Sequence, residues 1–244
     1  MSKRIALIGG RGYTGSELLG HIARHPGMSL AFASSTSQAG QSVSEACPAW
    51  ENPEDRFISL SAEDVAQHQA DAWVLAVPNG VAGSWADAIQ AAHPDAVVLD
   101  LSADHRFDDS WAYGLPERFR DRIRTSKLIA NPGCYATGGQ LGLLPINDYL
   151  VGTPVIFGVS GYSGAGKAPS DKNNPDRLRD NLMPYSLAGH VHEKEMGYQL
   201  GTDVRFLPHV AEFFRGISLT VSVEVDHEAT VDKLVRLYSN TYQD

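Results

Sequence analysis

The stretch RIALIGGRGYTG, residues 4–15, joins a short apolar run to three glycines spaced G-x-x-G-x-x-G. The run predicts a buried strand, and the apolar spacing that follows, from Tyr13 to His25, predicts an amphipathic helix. Glycines at such a turn let the backbone approach a diphosphate, and the amides at the helix start point toward it. The stretch therefore predicts the first strand, turn and helix of a dinucleotide-binding α/β domain.

Strand-like and helix-like segments alternate beyond this unit. Strands are predicted at 28–33, 72–77, 96–101 and 127–130, and helices at 61–68 and 81–93. This alternation predicts a Rossmann-type, doubly wound parallel sheet that binds ligands at the carboxyl ends of its strands. After Pro145 the pattern changes to a strand at 154–160 and a loop rich in glycine, proline and asparagine. We therefore expect a nucleotide-binding domain at 1–150 and a second, α+β substrate or catalytic domain at 151–244.

The composition excludes several classes of protein. The 244 residues are 43% apolar and carry a formal charge of −9, which argues against a basic surface for nucleic acid or anionic membrane. The sequence has no apolar run of the roughly 20 residues that a membrane helix needs, and its first residues lead into a strand rather than a signal peptide. We expect a cytoplasmic protein. Cys47 and Cys134 form no C-x-x-C pair, so neither a disulfide framework nor a metal site is predicted.

The end of the second strand bears on the choice of dinucleotide. NAD sites usually place a carboxylate there, whereas this strand ends in Ser34, Ser35, Thr36 and Ser37. Hydroxyls can donate to a 2′-phosphate that a carboxylate would repel, and Arg11 adds positive charge. We therefore predict NADP(H) rather than NAD. The predicted contacts are Gly9, Arg11, Gly12, Tyr13, Thr14, Gly15, Ser34 and Ser35.

Cys134 follows a predicted strand and a Pro-Gly turn, and a helix is predicted from it to Leu144. Backbone amides and the positive dipole end at a helix start favour thiolate over thiol, which lowers the pKa of a cysteine and makes it a better nucleophile. The alternative is a small buried apolar residue, which is what most cysteines outside disulfides are. Position alone leaves both interpretations open.

Several short motifs, in a fixed order along the chain, point to a particular protein family. They are DLSADHR at 100–106, YGLPE at 113–117, NPGCY at 131–135, GVSGYSGAG at 158–166, GHVHE at 189–193 and FLPH at 206–209. Together with the glycine loop they resemble the N-acetyl-γ-glutamyl-phosphate reductases of arginine biosynthesis. Members of that family continue for several tens of residues beyond the strand predicted at 217–225. We therefore expect the second domain to be C-terminally incomplete, which leaves the activity of a chain ending at Asp244 open.

The resemblance implies a reaction and its residues. Cys134 would displace phosphate from an acyl phosphate, and NADPH would reduce the resulting thioester to N-acetylglutamate 5-semialdehyde. Of the paired histidines, His192 is the expected acid–base and His190 a substrate-binding residue, although their roles could be exchanged. Arg106 and Lys167 would bind the substrate anion. Pro78 and Asn79 would border the cofactor, and Ser160, Gly161 and Gly164 its nicotinamide.

Other functions stay open at this level. Aspartate-semialdehyde dehydrogenase shares the predicted fold, cofactor and thioester chemistry, although the DHR and GHVH strings fit the first family better. Enzymes acting on acylated aminoadipate differ by one methylene, which a pocket discriminates only modestly. A catalytically inactive NADP-binding fragment is the non-enzymatic alternative. Family members are typically oligomers, so the resemblance also implies self-association.

Overall fold

The alternating first part of the chain forms a six-stranded, fully parallel sheet. The computed structural model describes residues 2–243, and its first compact unit ends at Asn131. The sheet order is β2-β1-β3-β4-β6-β5. The elements of this unit are β1 (Lys3–Ile8), α1 (Tyr13–Arg24), β2 (Met28–Ser34), α2 (Val43–Ala46), β3 (Ala72–Leu75), α3 (Ala82–Ala92), β4 (Val97–Asp100), β5 (Ala112–Tyr113), α4 (Pro116–Thr125) and β6 (Leu128–Ala130).

Both faces of this sheet are buried, which is why its strands are continuously apolar. On β1, Ile5 and Leu7 pack with residues of α1 in one apolar cluster, whereas Ala6 and Ile8 pack with residues of α3 in another. Helices therefore cover opposite faces, as in a doubly wound sheet.

The second unit begins at Pro132 and contains a mixed sheet in the order β10-β7-β9-β8. Strand β7 pairs antiparallel with β10 and parallel with β9, and β8 pairs antiparallel with β9. The elements are α5 (Cys134–Leu143), β7 (Leu150–Gly161), α6 (Pro175–Leu178), β8 (Leu182–Pro184), α7 (Val191–Leu200), β9 (Arg205–Ala211), β10 (Ile217–Val225) and α8 (Val231–Thr241). The predicted class, a Rossmann-type parallel sheet followed by an α+β domain, is confirmed.

The units divide earlier in the chain than the boundary expected between residues 150 and 151. Helix α5 packs against α7 and β10 of the second sheet, and its Tyr135, Ala136 and Leu143 lie in that sheet's apolar core. The sequence of a glycine-rich, apolar helix does not indicate which of two sheets the helix packs against. The tertiary contacts of α5 therefore assign it to the second unit.

Several local elements differ from the sequence expectation, which did not include α2, β5, α4, α6 and β8. The predicted helix at 61–68 is a 3₁₀ helix, Ala62–Gln67. Helix α4 was not predicted, because it buries none of its residues and so lacks an apolar face to reveal it. Among residues 2–243, no helix combines the length and apolar character needed to cross a membrane.

Candidate functional site

Cys134 is the first residue of α5 and is exposed. Gly133 is the N-cap, with an extended backbone (φ −67°, ψ 149°) and no capping side chain. The helix therefore begins with its amide groups and its positive dipole end close to the sulfur. Cys47, by contrast, is 4% exposed and lies in the apolar core of the first unit. Of the two thiols, only Cys134 is accessible to a substrate.

A buried carboxylate holds the start of α5. The Gly133 amide donates a hydrogen bond of 2.8 Å to Oε1 of Glu195, whose side chain is fully buried. Glu195 belongs to α7, three residues after His192, so both lie on one face of that helix. Helix α7 is thereby bonded through Glu195 to the residue that precedes Cys134.

His190 and His192 have different structural roles. His190 is the N-cap of α7, and its Nδ1 accepts the His192 amide at 3.0 Å. The two rings lie 4.9 Å apart between centroids. Burial lowers the pKa of His190, and nearby Lys172 lowers it further, whereas Glu193 opposes the change. His190 is therefore held as a neutral imidazole whose Nδ1 caps the helix.

Two phenols adjoin Cys134. Tyr135 donates its hydroxyl to the His209 carbonyl at 2.7 Å, and its ring lies 6.1 Å from that of His192. The ring of Tyr185 contacts His190 edge-on at 5.7 Å. Burial raises the pKa of both phenols, and the nearby Cys134 raises it further. Both hydroxyls therefore stay protonated near neutral pH, and the Tyr135 proton is already engaged by the His209 carbonyl.

The glycine loop of the first unit, residues 9–15, lets other groups approach its backbone closely. Gly9 has a positive φ of 85°, and a Cβ there would lie 2.3 Å from the Ala76 carbonyl oxygen, so a side chain is excluded. At Gly12, the N-cap of α1, a Cβ would have no atom within 4 Å. The space in front of the helix start is thus open, as a bound diphosphate requires. Tyr13 and Thr14 form the first turn of α1.

The hydroxyl run after β2 is only partly accessible. Ser34 and Ser35 are 4% and 6% exposed, whereas Thr36, Ser37 and Arg11 are exposed. The Ser34 carbonyl accepts the amides of Gly9 and Gly10, which ties the loop to β2. The hydroxyls open to a ligand are consequently those of Thr36 and Ser37, and sequence alone does not separate them from their buried neighbours.

A second loop cluster follows β3 and β4. Asp104 accepts the amides of Gly80 (2.7 Å) and Ala82 (3.0 Å), and Asn79 accepts the Ala103 amide at 3.0 Å. Pro78 and Asn79 are exposed at the end of β3. Arg106 is 8% exposed, and its Nε donates to the Asn131 carbonyl at 2.9 Å. Its guanidinium is therefore fixed in direction before any ligand binds.

The remaining predicted residues lie at and after the end of β7. Ser160 is 6% exposed, and its hydroxyl hydrogen-bonds the two phenols. A Cβ on Gly161 would meet the backbone of Phe213 and Arg215 within 2.7 Å, so this glycine permits a close chain crossing. Gly164 and Lys167 are exposed on the following loop.

The structure brings some of these residues together and reveals others. His190 and His192 lie together at the start of α7, next to Tyr185 and Tyr135, and the Tyr135 ring and the Glu195 carboxylate connect this turn to the start of α5, where Cys134 lies. Sequence reasoning missed Tyr135, Tyr185 and Glu195; the one available signal was the helical spacing of Glu195 from His192. Within residues 2–243, no group of three His, Cys, Asp or Glu side chains is arranged to hold a metal ion.

Comparison with known proteins gives consistent matches along the whole chain. A family sequence model described as the semialdehyde dehydrogenase NAD binding domain matches residues 4–126, and one described as the dimerisation domain matches residues 134–244. The chain is 49% identical to N-acetyl-gamma-glutamyl-phosphate reductase of Stenotrophomonas maltophilia, over 98% of this chain and 75% of that protein. It is 51% identical to the Xanthomonas oryzae protein of the same name, over 98% and 76%.

The chain also matches part of a longer protein and several solved structures. A mitochondrial protein of Schizosaccharomyces pombe is 47% identical over 98% of this chain and 27% of its own length. Among solved structures, aspartate semialdehyde dehydrogenase II of Vibrio cholerae superposes with a TM-score of 0.77 at 18% identity, covering 99% of this chain and 80% of that one. At that identity the likeness shows a shared fold.

The lowered pKa of His190 predicts how stability depends on pH. At a pH below 6.5, the usual pKa of histidine, His190 binds a proton in the unfolded chain but not in the folded chain. The free energy of unfolding therefore falls as the pH decreases from 6.5 toward the lower pKa of the folded chain. His190→Asn retains a side-chain oxygen that can cap α7 but does not titrate. We expect the variant to lose less stability than the wild type between about pH 7.5 and 5.5, measured by urea unfolding. The exposed His21→Asn variant is the control, and equal losses in all three proteins would contradict this role.

Proposed function

This chain belongs to the N-acetyl-γ-glutamyl-phosphate reductase family, and we propose that Cys134 is the nucleophile with which it reduces N-acetyl-γ-glutamyl phosphate to N-acetylglutamate 5-semialdehyde and phosphate. The observation that carries the proposal is the exposed sulfur at the first residue of α5, with Glu195 of α7 bonded to the amide of the preceding Gly133. The amides at a helix start favour the thiolate form that such a reaction needs.

The covalent steps then follow from the chain's own residues. The Cys134 thiolate attacks the acyl carbon, the carbon–oxygen bond to phosphate breaks, and phosphate leaves with the bonding electrons. NADPH, when bound, supplies the hydride that reduces the thioester. The resulting tetrahedral adduct on Cys134 loses its hydroxyl proton as the carbon–sulfur bond breaks, releasing the aldehyde and the thiolate.

His192 is the proposed acid–base for the proton at the tetrahedral oxygen. Imidazole exchanges protons near neutral pH, and this ring lies on the first turn of α7, the helix that Glu195 bonds to Gly133. His190 is less suited to proton transfer, because its Nδ1 already accepts a backbone amide and burial disfavours its charged form. We assign His190 to substrate binding together with Arg106 and Lys167.

The residues of the first unit fit an NADP cofactor. The open space at Gly12 and the amides at the start of α1 suit the diphosphate, with Gly9, Tyr13, Thr14 and Gly15 completing the loop. For the 2′-phosphate we propose Arg11 with Thr36 and Ser37, since Ser34 and Ser35 are buried. Pro78 and Asn79 would border the cofactor, and Ser160, Gly161 and Gly164 its nicotinamide.

We also propose that the chain forms a homo-oligomer through the open face of its second sheet. On β7, Ile156 lies in the core that α5 and α7 cover, whereas the alternate residues Val155 and Phe157 are 38% and 36% exposed. Leu207 and His209 extend the same face on β9. A cytoplasmic location, and the absence of nucleic-acid or membrane partners, stay predictions from the composition.

Replacing the nucleophile tests the proposed chemistry. We expect Cys134→Ser to lower the phosphate-dependent oxidation of N-acetylglutamate 5-semialdehyde by at least about 10³-fold, because a hydroxyl at this position is far less ionised than a thiol. Iodoacetamide should label the wild type once, at Cys134, and substrate should slow that labelling. Cys47→Ala, which alters the buried cysteine, should retain activity and labelling. An unreactive Cys134 would overturn its assignment as the nucleophile. Faster turnover of aspartate semialdehyde or of an acylated aminoadipate semialdehyde would overturn the proposed substrate.

The proposed 2′-phosphate contact predicts a selective loss of affinity. Arg11→Ala should weaken NADPH binding by about tenfold, the loss expected for one charge-assisted hydrogen bond, and leave NADH binding unchanged. Fluorescence titration of both reduced cofactors measures this. The exposed Arg120→Ala variant is the matched control and should bind both cofactors as the wild type does. Equal binding of NADH and NADPH by the wild type would refute the preference for NADP.

A single charge on the open sheet face tests self-association. Phe157→Glu places a carboxylate on the apolar face of β7, and a buried unpaired charge opposes association. Sedimentation velocity should show the wild type as an oligomer and the variant as a monomer with unchanged circular dichroism. Val231→Glu, at an apolar position that is 75% exposed on α8, should leave the assembly intact. An unaltered assembly in Phe157→Glu would locate the interface elsewhere.

A further inference from the structure

A fully buried carboxylate organises the loop that follows β4. Asp100 is 0% exposed and accepts three hydrogen bonds: from the Ser102 amide (2.8 Å), from the Ser102 hydroxyl (2.9 Å) and from Nδ1 of His105 (2.7 Å). A carboxylate buried to this degree is strongly unfavourable unless such donors satisfy it. The loop is thus folded back onto the end of its own strand.

His105 is fixed by two independent contacts. Its ring stacks on Trp111, with centroids 3.9 Å apart and planes inclined by 15°. Because the facing group is a carboxylate oxygen, the Nδ1 atom carries the proton that makes the bond. The stack fixes the plane of the ring and the hydrogen bond fixes its rotation, so the backbone at residue 105 has little freedom.

The next residue in the chain is Arg106. Its Nε donates to the Asn131 carbonyl at 2.9 Å and its Nη2 to the Leu101 carbonyl at 3.3 Å. Two carbonyls at these positions fix the guanidinium plane. An arginine side chain has many rotamers of similar energy. The two carbonyls can hold the guanidinium only if the backbone at residues 105 and 106 places the side chain within reach of them.

We propose that His105, through Asp100 and Trp111, is a positioning residue that presents the Arg106 guanidinium to the anionic group of the substrate. The inference rests on the proposed role of Arg106 in substrate binding. An arginine held in its binding orientation loses less conformational entropy when the ligand arrives, so the contacts of His105 increase affinity without touching the ligand. Removing them should weaken substrate binding while the thiol chemistry at Cys134 is preserved.

Two substitutions separate the contacts of His105. His105→Phe keeps a ring that can stack on Trp111 but removes the donor to Asp100. His105→Asn places an amide nitrogen close to the position of Nδ1 and so restores the donor without the ring. His93→Phe is the matched control: His93 is also a partly buried histidine of the first unit, stacked on Trp73 and bonded through Nε2 to the Val65 carbonyl.

The measurement is protection of Cys134 from iodoacetamide, with N-acetylglutamate 5-semialdehyde and inorganic phosphate as separate probes. Arg106→Ala first identifies the probe whose half-protecting concentration depends on the guanidinium. We expect His105→Phe to raise that same concentration about tenfold, with an unchanged labelling rate in the absence of the probe. His105→Asn should fall closer to the wild type, and His93→Phe should match the wild type. In the Arg106→Ala background, His105→Phe should have no further effect.

The outcomes distinguish this inference from the proposed function. If neither probe depends on Arg106, the role proposed for Arg106 fails and the inference fails with it. If Arg106→Ala weakens protection but His105→Phe behaves like His93→Phe, the inference alone is overturned. Urea unfolding of each variant identifies a general loss of stability, which would affect both probes and the double variant alike.

Discussion

The hydrogen bond between the Gly133 amide and the buried Glu195 carboxylate connects the start of α5 to the middle of α7. A carboxylate removed from water is retained only where donors meet it, so this bond fixes the backbone immediately before Cys134. Cys134 is the next residue along α5, and His192 lies three residues before Glu195 on α7. The candidate chemistry therefore depends on where two helices begin, more than on any one reactive side chain.

The proposed functional residues of this chain lie at or near the N-termini of its helices. Gly12 is the N-cap of α1 in front of open space, Asp104 caps the start of α3, Gly133 is the N-cap of α5, and His190 caps α7. Each start presents amide groups that a ligand, a carboxylate or an imidazole must satisfy. Where a side chain caps the helix, a loop is anchored. Where glycine stands instead, no side chain covers the helix start, which keeps it open to an anion or a thiolate.

Buried ionisable groups in both units serve geometry. Asp100 folds the loop that carries Arg106, and Glu195 holds the turn that carries Cys134. Neither carboxylate is exposed. Such groups are expensive to bury and contribute little net stability, but they specify one conformation where apolar packing would tolerate several. In this chain, the segments that bear the proposed functional residues are held by these buried carboxylates.

The amino-acid sequence by itself determined the fold class, because strand and helix periods are local properties of the chain. The glycine loop and the position of Cys134 at a helix start were readable for the same reason, since both follow from the neighbouring few residues. Contacts between distant segments decided the rest: the assignment of α5 to the second sheet, the burial of Ser34 and Ser35 beside the exposed Thr36, and the meeting of Tyr135, Tyr185 and Glu195 near Cys134. Periodicity says which face of an element is apolar, but only tertiary packing determines what that face meets and which polar groups are enclosed with it.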